Sequence, residues 1–387
     1  MTVDTATFEQ LLGPVGESLL DEIRDSNDDA LSLGTRLRRR YEPDLVAAAM
    51  SEAALRSRAH SKFGADADVM WFTSDGLEQA TRPPVAQYRA RRLADAGVGS
   101  VTDLGCGIGG DLIAFARSGL EACGVEADDL RAAMARANLR ALGLDGRVAP
   151  GDVETAHIER RDAVFCDPAR RNERGRVFDL TQLSPSWELV SRLLHGSAAV
   201  KMLPGIAHEA VPRDVEAEWI SHDGDLVEAC LWGAGLSGTS RRATVLTRTG
   251  VASISARGAV GRTGAVSAWI AEPDDAVIRA GLVAELAEDV GAHLIDPHLA
   301  YLSADSPVLN SFARWYRVID ELPFGQKPLR AALAQRGIGT LTVKKRGVDI
   351  VPERLISRLR LRGPHAGTLI LARIGSGARA FLVEPHA

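Results

Sequence analysis

The sequence predicts an α/β protein in which a parallel sheet follows a helical region and precedes a smaller α+β region. Three observations lead to this fold class. Short apolar runs alternate with stretches of helical periodicity between residues 98 and 203, as in β-α-β units. Acidic residues stand at the ends of four of these runs. Residues 1–70 have helical periodicity, whereas helix and strand patterns are mixed beyond residue 280.

Residues 1–70 are predicted to form a helical domain. An apolar stripe starts at Phe8 and continues through Leu11, Leu19 and Ile23, and residues 44–58 are rich in Ala and Leu at helical spacing. The basic run at residues 36–40 has two interpretations, a solvated helix face or a contact with phosphate.

The next segment places two aromatic residues before a helix start. Trp71 and Phe72 precede Ser74 and Asp75, which are typical of a helix N-terminus. The two rings are expected either to form a hydrophobic staple or to make a wall over a cofactor or a target base.

Residues 101–111 read as strand, tight turn and helix. Gly105, Gly107 and Gly110 fit the pattern G-x-G-x-x-G, and Glu126 lies near the position expected to bind a ribose. Glycines at such a turn let the backbone approach a ligand closely. An ordinary glycine turn is the alternative interpretation.

Acidic residues end four successive predicted strands. These residues are Asp103, Glu126, Asp152 and Asp167. Any one of them could be a helix cap or a turn residue. Because the carboxyl ends of parallel strands meet at one edge of the sheet, the four together indicate a ligand site.

The chain resembles the class I S-adenosylmethionine (SAM)-dependent methyltransferases, which have a Rossmann-like sheet. Residues 103–107, Asp-Leu-Gly-Cys-Gly, match the first motif of that family. The resemblance implies that Asp103 faces the methionine amino group, that Glu126 binds the ribose and that Asp152 lies at the adenine. It favours SAM over NAD, and it implies cofactor contacts at Asp103, Gly105, Cys106, Gly107, Glu126, Asp152, Val153, Gln79 and Thr81.

The catalytic motif of the family falls at Asp167, Pro168, Ala169 and Arg170. Ala169 and Arg170 stand where related enzymes have a proline and an aromatic residue. By this resemblance, stacking on the base must come from Trp71, Phe72 or the guanidinium of Arg170. Asp-Pro-x-Arg also resembles RNA methyltransferases that act on a pyrimidine carbon, but their nucleophilic cysteine motif is not found, and the acceptor atom stays open.

Further cations are expected near the target. Arg171, Arg174 and Arg176 lie in a polar stretch after the motif and are predicted to contact phosphates. Lys201 lies near the end of a predicted buried strand, residues 198–203. It is either an active-site cation or a lysine whose ammonium reaches solvent.

Three more strands are expected to complete the sheet, at residues 216–221, 225–232 and 241–247. The last two flank a glycine-rich connection and are predicted to pair with each other in antiparallel orientation. Residues 259–280 read as a linking segment. The predicted domains are therefore residues 1–70, 71–275 and 281–387.

The C-terminal module resembles the THUMP-like domain of a group of bacterial methyltransferases. The resemblance rests on residues 342–348, which include Lys344, Lys345 and Arg346, and on residues 352–353 and 359–363. THUMP domains bind RNA, so these three cations are predicted to hold a distal part of an RNA. Residues 321–387 hold 12 Lys and Arg and 4 Asp and Glu, although the whole chain of 387 residues has a net charge of -5.

The composition also bears on solubility, cellular location and metal binding. The chain is 45% hydrophobic and 25% charged, as expected of a soluble globular protein with a large core. It shows neither a membrane-spanning run nor a signal pattern, so a cytoplasmic location without membrane contact is expected. The four cysteines lack metal-ligand spacing, so no metal is expected. A catalytic thiol at Cys166 is the less favoured alternative to a buried cysteine.

The sequence thus predicts a SAM-dependent methyltransferase that acts on structured RNA, either tRNA or rRNA. Two alternatives belong to other classes. A methyltransferase of small molecules or proteins would keep the cofactor site without salt-sensitive RNA binding. A non-catalytic RNA-binding protein would need none of the acidic residues at the strand ends.

Overall fold

The computed structural model describes residues 3–155, 161–170 and 180–386. The chain divides into two compact units. The first comprises Met1–Met202, Ile206–Val215 and Cys230–Gly238, and the second comprises Leu203–Gly205, Glu216–Ala229 and Thr239–Ala387.

The helices of the first unit confirm the helical N-terminal region. Proline stands in the first turn of three of them, where its missing N–H costs no hydrogen bond. None of the helices in the described parts of the chain is long and apolar enough to span a membrane. The helices are α1 (Thr5–Leu11), α2 (Pro14–Arg24), α3 (Ala30–Leu37), α4 (Pro43–Phe63), α5 (Ser74–Gln79), α6 (Pro83–Asp95), α7 (Gly110–Arg117), α8 (Asp129–Ala141) and α9 (Trp187–Leu194).

The first unit contains a parallel sheet in the order β7-β4-β1-β2-β3. Asp103 lies opposite Gly124 on one side and Phe165 on the other. The strands are β1 (Ser100–Leu104), β2 (Glu121–Glu126), β3 (Arg147–Pro150), β4 (Ala163–Cys166) and β7 (Ala198–Met202), and a separate pair is formed by β5 (Ala169–Arg170) and β6 (Leu183–Ser184).

The third strand is shorter than expected. The sequence predicts residues 148–153, but β3 ends at Pro150. Proline has no N–H with which to continue a ladder. Asp152 therefore lies in the loop after the strand instead of at its last residue.

Four more strands follow β7 in the chain. They are β8 (Glu216–His222), β9 (Asp225–Trp232), β10 (Arg241–Thr247) and β11 (Gly250–Ser255). Residues Cys230–Trp232 of β9 belong to the first unit and lie beside β7 there. The second unit has the order β11-β10-β8-β9.

The predicted antiparallel pair of β9 and β10 is wrong. The strand β10 pairs with β8 in parallel and with β11 in antiparallel orientation. Because β7 and β8 occupy the two edges of β9, no edge of β9 is left for β10.

The second unit also contains a sheet of seven strands in the order β13-β14-β12-β15-β18-β17-β16, which confirms the C-terminal α+β region. Its strands are β12 (Trp269–Pro273), β13 (His293–Leu294), β14 (Leu302–Ala304), β15 (Ala313–Leu322), β16 (Ile338–Arg346), β17 (His365–Ile374) and β18 (Gly377–Pro385). Its helices are α10 (Asp275–Arg279), α11 (Val283–Asp289), α12 (Gln326–Gln335) and α13 (Pro352–Leu359). The segment predicted as a link contains β12 and α10, which are too short for their periodicity to show.

This sheet has a separate apolar core on each face. Leu341 and Leu369 belong to one core together with residues of α12 and α13. Ile370 belongs to the other core, with Tyr301 and Tyr316. Alternate residues of each strand therefore point to opposite faces, as the pleat requires.

Asn138 holds the segment before α5 against the glycine turn. Its side chain is fully buried in α8. The Asn138 Oδ1 accepts the Trp71 N–H at 2.6 Å, and its Nδ2 donates to the carbonyls of Trp71 at 3.1 Å and Ile108 at 2.8 Å. One side chain thus satisfies three backbone groups.

We expect Asn138→Ala to lower the free energy of unfolding by about 3 kcal/mol, because the backbone groups of Trp71 and Ile108 lose their buried partners. Urea unfolding of the whole chain measures the change. Asn27→Ala, at an exposed position, is the control and should change stability by less than about 0.5 kcal/mol. Equal stability of the two variants would contradict the role given to Asn138.

Candidate functional site

The glycine turn after β1 presents bare backbone to open space. Gly105 has a φ of +81° and Gly107 a φ of +57°. These are values that residues with a Cβ rarely adopt. No atom lies within 4 Å of the point where a Cβ would stand at either glycine. The turn therefore leaves room for a ligand.

Cys106, between these glycines, faces inward. Its side chain is buried, and a Cβ at Gly124 would come within 2.7 Å of its Sγ. Burial raises the pKa of the Cys106 thiol well above its usual value. Cys106 can therefore offer only its backbone to a cofactor.

Asp103 ends its strand as a buried carboxyl with an unused oxygen. The residue is 1% exposed, and its Oδ1 has no hydrogen-bond partner among the described residues. Burial, followed by the charges of Asp111 and Asp167, raises the pKa of Asp103 well above the usual range. A buried polar atom without a partner is costly. The ammonium of a SAM methionine group would satisfy it.

Glu126 is fixed to the same turn. Its Oε2 accepts the Gly107 N–H at 2.8 Å, and its Oε1 accepts the Asp128 N–H at 3.0 Å. Each carboxylate oxygen has a second lone pair. The residue is therefore oriented and can still accept hydrogen bonds from a ribose diol.

The remaining predicted cofactor residues are less closely connected to the turn. Asp152 is exposed, and its Oδ1 accepts the Glu154 N–H at 3.0 Å. Val153 is half-buried and Gln79 is exposed. Their contacts with the cofactor stay predictions.

Thr81, Asp167 and Lys201 form one hydrogen-bonded chain. The Lys201 Nζ lies 2.7 Å from Asp167 Oδ2 and 3.1 Å from Thr81 Oγ1. Thr81 in turn donates to Asp111 Oδ2 at 2.7 Å. The ammonium of Lys201 thus forms an ion pair with the predicted catalytic carboxylate of Asp167.

Two residues of this network were missed from the sequence. Arg89 of α6 is fully buried, forms an ion pair with Asp111 and lies with its guanidinium 4.5 Å from the ring centre of Phe165. Asp111 could have been found from the sequence, because it stands directly after the last glycine of the motif. Arg89 stands among other arginines of the same helix, so nothing in the sequence distinguishes it.

Trp71 and Phe72 have different surroundings. The Trp71 ring packs edge-on against Phe8 at 5.3 Å, with the Arg56 guanidinium 4.5 Å from its centre. Phe72 lines a cavity of about 420 Å³, whose other lining side chains include Phe8, Leu11, Glu52, Leu55, Leu130 and Met134. The ring of Trp71 is thus packed against the N-terminal helices, and Phe72, which is also buried, packs on Phe63 at 5.5 Å and forms part of the cavity wall.

Glu52 adds a titratable group to this cavity. Its oxygens accept hydrogen bonds from Arg56 Nε at 3.2 Å and from the Phe72 N–H at 3.4 Å. Burial raises the pKa of Glu52 to about 7. The carboxyl therefore anchors Phe72 at the cavity wall.

The motif at residues 167–170 enters a short strand. Pro168 is half-buried, Ala169 is exposed, and residues 169–170 pair with residues 183–184. The predicted phosphate contacts Arg171, Arg174 and Arg176 lie outside the described residues. Their roles stay predictions, as does that of the Arg170 side chain.

Each of the two basic runs, at residues 36–40 and 344–346, has two cations that are paired with a carboxylate. Arg36 and Arg40 both pair with Glu22, at 2.6 and 3.1 Å. In the second unit, the Lys344 Nζ lies 2.5 Å from Glu272, and Arg346 lies 4.0 Å from the same carboxylate. Of the Lys-Lys-Arg run at residues 344–346, Lys345 is the exposed member.

Nothing among the described residues forms a group of three or more His, Cys, Asp and Glu suited to a metal ion.

Cys166 is buried, and burial raises the pKa of its thiol well above the usual value. A raised pKa disfavours the thiolate that a nucleophile needs.

Comparisons with known proteins agree with this architecture. Residues 313–385 match the THUMP domain-like family, and residues 4–59 match a domain of unknown function, DUF8688. Two Mycobacterium tuberculosis proteins (strains CDC 1551 / Oshkosh and H37Rv), each named an uncharacterized SAM-dependent methyltransferase, are 39% identical over 336 residues. These residues cover 84% of this chain and 92% of each relative.

A Porphyromonas gingivalis W83 protein, provisionally described as a methyltransferase, has a crystal structure similar over 100% of both chains. The TM-score is 0.79 and the sequence identity 19%, so the likeness concerns the fold. With the M. tuberculosis relatives, the chain belongs to the SAM-dependent methyltransferases. It carries a THUMP-like domain at its C-terminus, and its cofactor is SAM.

We expect Asp111→Ala to lower the free energy of unfolding by about 3 kcal/mol or more, because it removes the carboxylate that pairs with the buried guanidinium of Arg89. Urea unfolding gives the value. The control is Asp21→Ala, which removes an exposed ion pair with Arg24 and should cost less than about 1 kcal/mol. A cost at Asp111 no larger than that of the control would show that the pair does not stabilise the site.

Proposed function

We propose that this methyltransferase transfers its methyl group to a nucleotide of structured RNA, either tRNA or rRNA. The observation that carries the proposal is the charge of the THUMP-like module. Residues 321–387 hold 12 Lys and Arg against 4 Asp and Glu in a chain of net charge -5. A positive module on an otherwise acidic chain suits a polyanionic substrate.

The cofactor assignments follow from the fit at the glycine turn. Asp103 would hold the methionine ammonium, Glu126 the ribose, and the backbone of residues 105–107 would lie against the cofactor. Two other carboxylates of this region are already paired, Asp111 with Arg89 and Asp167 with Lys201. The unpartnered oxygen of Asp103 is therefore the one suited to the ammonium of the cofactor.

SAM supplies an electrophilic methyl group on a sulfonium, so the protein has to align an acceptor lone pair and exclude water. We assign the alignment to Asp167. Lys201 donates a hydrogen bond to the Asp167 Oδ2 at 2.7 Å, which leaves Oδ1 to accept a hydrogen bond from an attacking amine. The Pro168 carbonyl is the second acceptor in this assignment.

Stacking on the target base is assigned to Phe72, whose buried ring would exchange its packing on Phe63 for the base. The family's aromatic position is filled here by Arg170, and the ring of Trp71 is packed among helices. Phe72 lines a cavity large enough for a nucleobase, and Gly76, just beyond it, packs against Ile108 of the glycine turn. The cavity therefore adjoins an element of the cofactor site.

We expect SAM binding to release a proton from Asp103. Burial raises the pKa of this carboxyl, and pairing with an ammonium requires the ionised form. The affinity for SAM should therefore rise with pH over the range in which Asp103 of the free protein titrates. Titration calorimetry in two buffers of different ionisation enthalpy measures the release.

Asp103→Asn should bind SAM at least about tenfold more weakly and release no proton at this position, since a charge-assisted hydrogen bond is lost. The control is Asp145→Asn, in an exposed loop of the same unit. Proton release by the Asp103 variant equal to that of the wild type would contradict the assignment.

The substrate class is tested with methyl-labelled SAM and total bacterial RNA. We expect the wild type to place label in tRNA or rRNA. Asp167→Ala should bind SAM within about threefold of the wild type. It should transfer less than about a hundredth of the label, because a side chain that is positioned to accept a proton from the reacting group contributes about a hundredfold or more to the rate. Label in protein or small molecules, with none in RNA, would overturn the RNA proposal.

A further inference from the structure

The cations of the C-terminal module fall into two groups when their partners are compared. Several of them are already paired: Arg336 with Asp320, Arg379 with Glu321, and Lys344 with Glu272. Nine others are exposed and have no ion-pair partner among the described residues. Two of these are Arg314 and Arg373, and the seven between residues 326 and 363 are Lys327, Arg330, Lys345, Arg354, Arg358, Arg360 and Arg362.

The pleat of β16 separates the Lys-Lys-Arg run. Leu341 and Val343 pack in the core beneath α12 and α13. Residue 345 has the same parity and so points to that helix-covered face. Lys344 and Arg346 point to the opposite face, where their charged groups lie 5.5 Å from the ring centre of Tyr316 and 5.3 Å from that of Tyr301.

The other six unpaired cations between residues 326 and 363 lie on the same helix-covered side. Lys327 and Arg330 are exposed on α12, whose Leu329 and Leu333 pack on the sheet. Arg354 and Arg358 are exposed on α13, whose buried Leu359 packs in the same core. Arg360 and Arg362 follow α13 on either side of Leu361, which also packs there.

Little acidic charge offsets this surface. Between residues 326 and 363 the acidic residues are Asp349 and Glu353. The opposite face is different, because Glu272 and Asp275 lie beside its cations. One side of the module is therefore strongly positive, and the other is internally balanced.

We propose that the helix-covered face of this sheet binds the phosphate backbone of the substrate RNA, and that Lys345 is the member of the Lys-Lys-Arg run that reaches it. The inference rests on the proposed RNA substrate. A dispersed set of arginines on helices suits phosphate contacts, which give affinity without reading the base sequence. Lys344 and Arg346 instead stabilise the module through Glu272.

The test compares two triple variants of the full chain with equal change in charge. Arg354→Gln, Arg358→Gln and Arg362→Gln remove cations of the helix-covered face. Arg317→Gln, Arg336→Gln and Arg379→Gln remove exposed cations that are already paired in the same unit. Binding of unfractionated tRNA and of total rRNA is measured by fluorescence anisotropy over a range of KCl concentrations, and SAM binding serves as the check of folding.

We expect the first triple variant to bind RNA at least about tenfold more weakly and to lose about 2 to 3 from the slope of log affinity against log salt, since each phosphate contact contributes about 0.7 to 0.9. The matched variant should keep the slope. Wild-type affinity in the first variant, or an equal loss in both, would overturn the inference while the RNA substrate stands. A wild type that binds neither RNA would overturn the proposed substrate as well.

Neighbouring single variants test the role of the pleat. Lys345→Gln should reduce the salt slope by about 0.7 to 0.9 and leave the melting temperature unchanged. Lys344→Gln should keep the slope and lower the melting temperature, because Glu272 loses its partner. The opposite pattern would refute the separation of the two faces.

Discussion

The candidate site depends on the balance of buried charge around the end of β1. Arg89 pairs with Asp111, and Lys201 pairs with Asp167, so two of the carboxylates have cationic partners. Asp103 retains an oxygen without a partner among the described residues. Because a buried carboxyl without a partner is costly, this arrangement favours the binding of a cation beside Asp103.

The N-terminal helices are tied to this site through the backbone of two aromatic residues. Asn138 binds the backbone of Trp71, and Glu52 accepts the N–H of Phe72. The ring of Trp71 then packs on Phe8, whereas Phe72 borders the cavity. Both aromatic residues thus complete the packing of this region, because Phe72 is also buried and packs on Phe63, and Phe72 in addition forms part of the cavity wall.

The C-terminal module shows how a sheet distributes charge. A run of three cations in the sequence suggests one basic patch, but alternate residues of a strand face opposite sides. Glu272 lies within ion-pair distance of two of the three, so their charge is compensated locally. The exposed arginines of α13 carry the uncompensated charge instead. A run of cations in the sequence therefore does not tell which of them are left to meet a polyanion.

The sequence by itself determined the succession of helices and parallel strands, the glycine turn and the acidic residues at or next to the ends of β1, β2 and β4, because periodicity and turn chemistry are local properties. Only the tertiary structure decided which side chains and which strands pair with each other. The buried pair of Arg89 with Asp111 joins two helices, the position of β10 depends on which strand edges are already occupied, and the pairing of Lys344 with Glu272 joins residues 72 positions apart. Each of these results from packing between distant segments, which no local pattern encodes.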